Sequence, residues 1–203
     1  MMNDVNNLLF QVVLVPAALS VVVFAWRKAS GKALGILTFL GLLYSTLILA
    51  YINWGIFTGG LEDGLIATYE WAPYIGKFTF LADGLSTPIA LTIMFLSTVI
   101  AIYSIKYMEH EENLHIYFAL YLLYASGMTG TVLTTNLAAF FLFFELMLIP
   151  SWALINVWGT GDREKVAFKY FMFTEVGALS LLAGISYAYA VTGQFDIFEL
   201  GKA

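Results

Sequence analysis

Glu145 is the side chain with the clearest capacity for chemistry, because it interrupts a stretch from Asn136 to Gly161 that carries no other charge. Held at the centre of a membrane helix, an acidic residue costs about 2.5 to 3.5 kcal/mol, and intramembrane ionisable groups mark proton or ion pathways. Glu175 is a second acid of the same kind, set between Lys169 and a further apolar run. Two carboxylates sharing one low-dielectric site oppose each other's ionisation, which suits reversible proton uptake. Asn156 lies eleven residues beyond Glu145, at nearly the same angular position on a helix of about 3.6 residues per turn. Pro150 supplies no N–H, which frees the carbonyl of Leu146 and predicts a kink where water can enter.

Such residues need elements that hold them in hydrocarbon. At 61% hydrophobic and 11% charged residues, the chain is far from the soluble balance of about a quarter charged. Its mean hydropathy of +0.84 agrees. A hydrocarbon core of about 30 Å takes about 20 apolar residues per crossing. Spans are predicted at 8–26, 33–57, 85–107, 116–133, 137–158 and 166–191, so residues 1–203 read as one all-α polytopic bundle of six transmembrane helices. On this placement Glu145 lies about 12 Å from Leu137 and about 20 Å from Trp158, and Glu175 about 14 Å from Val166. The helices are consecutive and antiparallel, so the two acids sit at similar depth.

Arg27, Lys28, Lys32, Lys106, Arg163, Lys165 and Lys169 fall at one end of the predicted bundle, and Lys77 and Lys202 at the other. The positive-inside rule then predicts both termini outside and the odd-numbered connections in the cytoplasm. Residues 1–26 lack the basic start of a signal peptide, so the first helix is expected to remain. The outer connection 58–84 carries Glu62, Asp63, Glu70 and Asp83 against Lys77 and is expected to cover the helices. Within it, Asp83 or Ser86 reads as the cap of the third helix, with Pro88 in its first turn.

The net charge of −5 offers no basic face for nucleic acid. Absent cysteines exclude disulfides, thiolate zinc sites and iron–sulfur clusters held by these residues alone. His110 and His115 flank Glu109, Glu111 and Glu112, but without metal-ligand spacing the cluster reads as a solvated loop. Lys169 lies near the cytoplasmic end, where snorkelling to headgroups is its ordinary use. No Gly-x-Ser-x-Gly or His-Glu-x-x-His motif suggests a hydrolase.

The order of motifs resembles the N-terminal part of the antiporter-like subunits of respiratory complex I (NADH:quinone oxidoreductase), particularly the M-type chain. Leu81-Ala-Asp83-Gly84-Leu85-Ser86, Phe144-Glu145 through Pro150, Trp158-Gly159 and Phe168-Lys169 through Thr174 carry the likeness. The pattern is shared with Mrp-type antiporters and the membrane arms of archaeal membrane-bound hydrogenases. The resemblance implies that Glu145 pairs electrostatically with a lysine on a later helix, and that the six helices are an incomplete antiporter-like bundle. Two departures stand out: no lysine-bearing later helices follow, and Glu175 stands where the family pattern has glutamine or a small residue. A piece of a longer chain, a split gene and a structural half all fit. The resemblance further implies a membrane-arm subunit of an ion-translocating oxidoreductase in an energy-transducing inner or plasma membrane, with Glu145, Glu175 and Lys169 on the ion path. Its expected partners are other membrane-arm subunits, including one supplying the lysine-bearing helices, and peripheral redox subunits. No cofactor or metal is expected in this chain. A non-conducting structural module is the alternative, and a carboxylate serves protons and sodium alike.

Overall fold

The computed structural model describes residues 2–61, 64–72 and 76–201. Glu62, Asp63 and Lys202, which bear on the charge distribution, lie outside the described residues. Among the described residues, six helices are long and apolar enough to cross a membrane: α1 (Met2–Ala25), α2 (Gly31–Phe57), α3 (Ser86–Tyr107), α4 (Leu114–Leu133), α5 (Leu137–Trp158) and α6 (Arg163–Thr192). Their starts follow local chemistry. Ser30 accepts from the N–H of Ala33 at 3.3 Å to begin α2, and the Asp83 carboxylate takes the N–H groups of Leu85 and Ser86 ahead of α3. Of the two expected caps, Asp83 therefore does the capping, and Ser86 steadies it by accepting from the Asp83 N–H. These bonds, led by that from Ser86, hold the Asp83 carboxyl below the usual carboxylate range. Gly193, at φ +70°, ends α6 in the left-handed conformation that L side chains avoid.

The core lies among α1, α2, α3 and α4, where Leu9, Leu42, Leu49, Met94, Phe118 and Leu122 are fully buried. Hydroxyls run through the same seams. Thr46 and Thr98 meet across α2 and α3 at 2.9 Å, and Ser126 of α4 donates to the Val13 carbonyl of α1. Small polar residues of this kind let membrane helices approach and hydrogen-bond. α5 packs on α4 and α6 on α5, and α6 leaves most of its surface exposed.

The connection 58–84 contains an element that its acidic composition does not announce. β1 (Leu65–Ala72) and β2 (Gly76–Ala82) form an antiparallel hairpin in the register Leu65↔Ala82 to Ala72↔Gly76, with an irregularity between Glu70 and Ala72. Once paired, the strand alternates in burial: Leu65 and Ala67 are buried while Ile66 and Thr68 are exposed, the period-two geometry of a half-buried strand. Phe78 and Phe80 turn inward onto Phe10 of α1 and Phe143 of α5, with ring centroids 4.9 to 5.9 Å apart. A last short helix, α7 (Ile197–Leu200), is capped by Asp196.

Candidate functional site

α5 carries the central acid, and its start is fixed from several sides. Asn136 caps it, accepting from the N–H groups of Ala138 and Ala139 at 2.9 and 3.1 Å, while its amide donates to the Lys77 carbonyl of β2. The Thr134–Asn136 turn also completes the edge of the hairpin, with the Thr135 N–H on the Thr79 carbonyl. On its other side, the Leu137 N–H donates to the Phe195 carbonyl and the Ile197 N–H to that of Thr135. A cavity of about 550 Å³ lies here, lined in part by Lys77, Thr79, Asn136, Gln194 and Asp196.

Farther along, α4 and α5 touch backbone to backbone at Gly127. A Cβ there would stand 2.7 Å from the Met147 nitrogen and 2.9 Å from the Leu146 carbonyl carbon. The close approach that small residues permit at Gly127 and Gly130 is thus made by α5 itself. Glu145 sits beside this contact. The residue is half-buried, and its Oε1 is buried without a hydrogen-bond partner. Leaving a charged oxygen so placed costs more than a neutral group would, so the site is poised for a proton, an ion or a partner charge.

Glu175 is half-buried on α6, which packs against α5. The two helices are zipped on the basic side of these acids by Trp152 against Phe171, with centroids 5.6 Å apart. Beside that pair, Ser151 Oγ and Tyr170 Oη lie 2.8 Å apart. Pro150 lies inside α5, which continues as one helix through Trp158. Ser151, the next residue, donates back to the Leu148 carbonyl. Lys169 is exposed and forms no ion pair among the described residues. Asn156 is half-buried, about 16 Å along the axis from Glu145. The structure thus places Glu145 and Glu175, both half-buried, on adjacent packed helices, with Lys169 exposed nearer the basic end and Asn156 farther along α5.

At the basic end, Lys106 hydrogen-bonds Glu109 and Lys32 approaches it at 4.0 Å. The Lys106 contact holds the Glu109 carboxyl below the usual carboxylate range. The Trp158 indole donates to the Glu112 carbonyl, tying the end of α5 to the α3–α4 connection. His115 lies against Phe24 instead of joining the acids, and no group of three or more metal-ligating residues forms among the described residues.

Two family profiles match the chain. The one described as NADH:quinone oxidoreductase/Mrp antiporter, TM covers residues 134–203, and the one described as NADH-Ubiquinone oxidoreductase (complex I), chain 5 N-terminus covers residues 71–118. The chain belongs to the antiporter-like family of complex I and Mrp membrane subunits. Among antiporter-like relatives, the F(420)H(2) dehydrogenase subunit M of Methanosarcina mazei is 29% identical over 93% of this chain and 39% of its own length. The NADH-quinone oxidoreductase subunit M of Rickettsia bellii is 32% identical over 68% of this chain and 28% of its own. Respiratory complex I from Thermus thermophilus contains a chain that superposes at TM-score 0.77 with 24% identity, covering 95% of this chain and 38% of that one. This antiporter-like chain thus spans 28 to 39% of the length of these relatives. Glu145, Lys169, Glu175 and the Ser151–Tyr170 pair all fall within the matched segment 134–203.

Sequence reasoning finds the acids of this antiporter-like chain but misses Ser151, Tyr170 and the clamp on Asn136. Serine after proline and tyrosine after lysine are ordinary by type. Their meaning comes from a contact across nineteen positions.

Proposed function

We propose that this chain is a membrane-arm subunit of a complex I-like ion-translocating oxidoreductase, and that Glu145 is a proton-accepting (or sodium-binding) group on its translocation path. The observation that carries the reading is the buried Oε1 of Glu145, without a hydrogen-bond partner, on a helix packed against the one that carries Glu175, in a chain of the antiporter-like family. Two carboxylates in a low-dielectric seam hold one positive charge between them at less cost than none. A cation brought toward Glu145 releases that charge, and its withdrawal takes one up. In this reading Glu175 relays to Glu145, Lys169 attracts or repels charge at the cytoplasmic end, and Pro150 and Asn156 give water polar footholds on the way. Both termini face outward, a neighbouring segment or chain supplies the partner lysine, and electron transfer takes place on peripheral redox subunits.

Glu145→Gln keeps shape and removes the ionisable group, so ion translocation by native membranes carrying the variant should fall by at least about 100-fold, the lower end of what a positioned proton-transfer group contributes. Undiminished translocation with normal assembly overturns the reading and leaves a non-conducting structural module in its place.

A further inference from the structure

The Ser151–Tyr170 contact is absorbed by neither the fold nor the carboxylate pair. Ser151 is buried, Tyr170 is half-buried, and their oxygens are 2.8 Å apart across the α5–α6 seam. A serine hydroxyl has one proton. In Ser151 it is directed at the Leu148 carbonyl, 2.8 Å away, so the shared bond is donated by Tyr170. The result is an ordered chain from the Tyr170 phenol through the Ser151 hydroxyl to the backbone of α5.

Position gives the chain its direction. Ser151 lies six residues beyond Glu145 and Tyr170 five residues before Glu175, so the hydroxyls form a layer about 8 to 9 Å from the carboxylates, on the side of Arg163, Lys165 and Lys169. Between the layers lies the Leu146 carbonyl, which Pro150 leaves without its helical N–H donor. An acceptor freed in this way, beside a buried acid, is a natural foothold for water.

We propose that Ser151 and Tyr170 are a proton relay serving Glu145 from the basic end of the bundle, the point where a proton crosses from α6 to α5. When a proton arrives at Tyr170 Oη, the phenol's own proton passes along the hydrogen bond to Ser151 Oγ, the serine hydroxyl turns from the Leu148 carbonyl and gives its proton to water held at the Leu146 carbonyl, and that water passes a proton to the Glu145 carboxylate. Each hydroxyl ends with one hydrogen and the water with two, no group is oxidised, and only the Glu145 carboxylate has gained a proton. The relay rests on the reading of Glu145 as a proton acceptor.

The test uses membranes holding the complex that contains this chain. The infrared C=O band that disappears in Glu145→Gln reports the protonated carboxyl, and at acidic pD its shift follows exchange of that proton for deuterium. Tyr170→Phe and Ser151→Ala should each slow exchange about 100-fold, again the lower end for a positioned proton-transfer group. The double substitution should slow it no further, and Ser151→Thr, which keeps a hydroxyl, should exchange at the parent rate. Parent-rate exchange in Tyr170→Phe and Ser151→Ala overturns the relay, as does an equal slowing in Ser151→Thr, which would assign the effect to packing. The Glu145 reading is decided separately by translocation in Glu145→Gln, so the relay can fail while that reading stands.

Discussion

At Gly127 a single methyl group is a calibrated wedge between α4 and α5. Gly127→Ala places a Cβ 2.7 Å from the Met147 nitrogen, 2.9 Å from the Leu146 carbonyl carbon and 3.0 Å from the Phe143 oxygen, all backbone atoms that no side-chain rotation can clear. Ordinary contact begins at 3.4 Å, so the helices must part by about 0.7 Å, enough to forfeit a quarter to a half of the dispersion energy along that line. Overpacking of this kind costs about 1 to 3 kcal/mol. Glu145 lies between Phe143 and Leu146, so the displacement reaches the carboxylate directly. Gly177→Ala is the matched control: its Cβ meets nothing within 4 Å, and helix propensity favours alanine by up to about 1 kcal/mol. Reversible unfolding in mixed detergent micelles should therefore rank Gly177→Ala, parent and Gly127→Ala in falling stability. A Gly127→Ala variant as stable as the parent would refute the close-contact argument.

The polar caps give two further expectations. Asn136→Ala removes both the acceptor for Ala138 and Ala139 and the amide bond to Lys77, and should lower unfolding stability by about 1 to 2 kcal/mol. Asp83→Ala should cost about 0.5 to 2 kcal/mol at neutral pH. Because the folded-state carboxyl lies below its ordinary value of 3.8, that contribution is complete above the ordinary value and is lost as pH falls through the depressed one. The gap between parent and variant in unfolding titrations should then close only in strongly acidic buffer, and a constant gap down to that range would contradict the cap.

The helices are legible because each crossing must be a long apolar run, and Glu145 because a lone charge in such a run is conspicuous. The hairpin is not announced, since Leu65-Ile66-Ala67-Thr68 does not alternate in polarity and the acidic residues around it speak first of a solvated connection. What escapes is pairing at a distance. Thr134 to Asn136 looks like a minimal helix connection, and nothing in its composition announces that it is held by Thr79 on one side and Ile197 on the other. Ser151 and Tyr170 escape for the same reason: hydroxyls are common in membrane helices, and only the meeting of α5 and α6 gives these two a partner.

The clamp on that turn also sets an order of assembly. Leu137 and Thr135 find their backbone partners in Phe195 and Ile197, about sixty residues later in the chain. During synthesis α4 and α5 can enter the membrane as a pair, but the turn joining them stays solvated until α6 has crossed and carried residues 195–197 to the same face. That face of the bundle is therefore closed by late-arriving residues, and a ribosome stalled inside α6 would leave a chain whose acid-bearing helix is inserted while its capping turn still lacks half its grip.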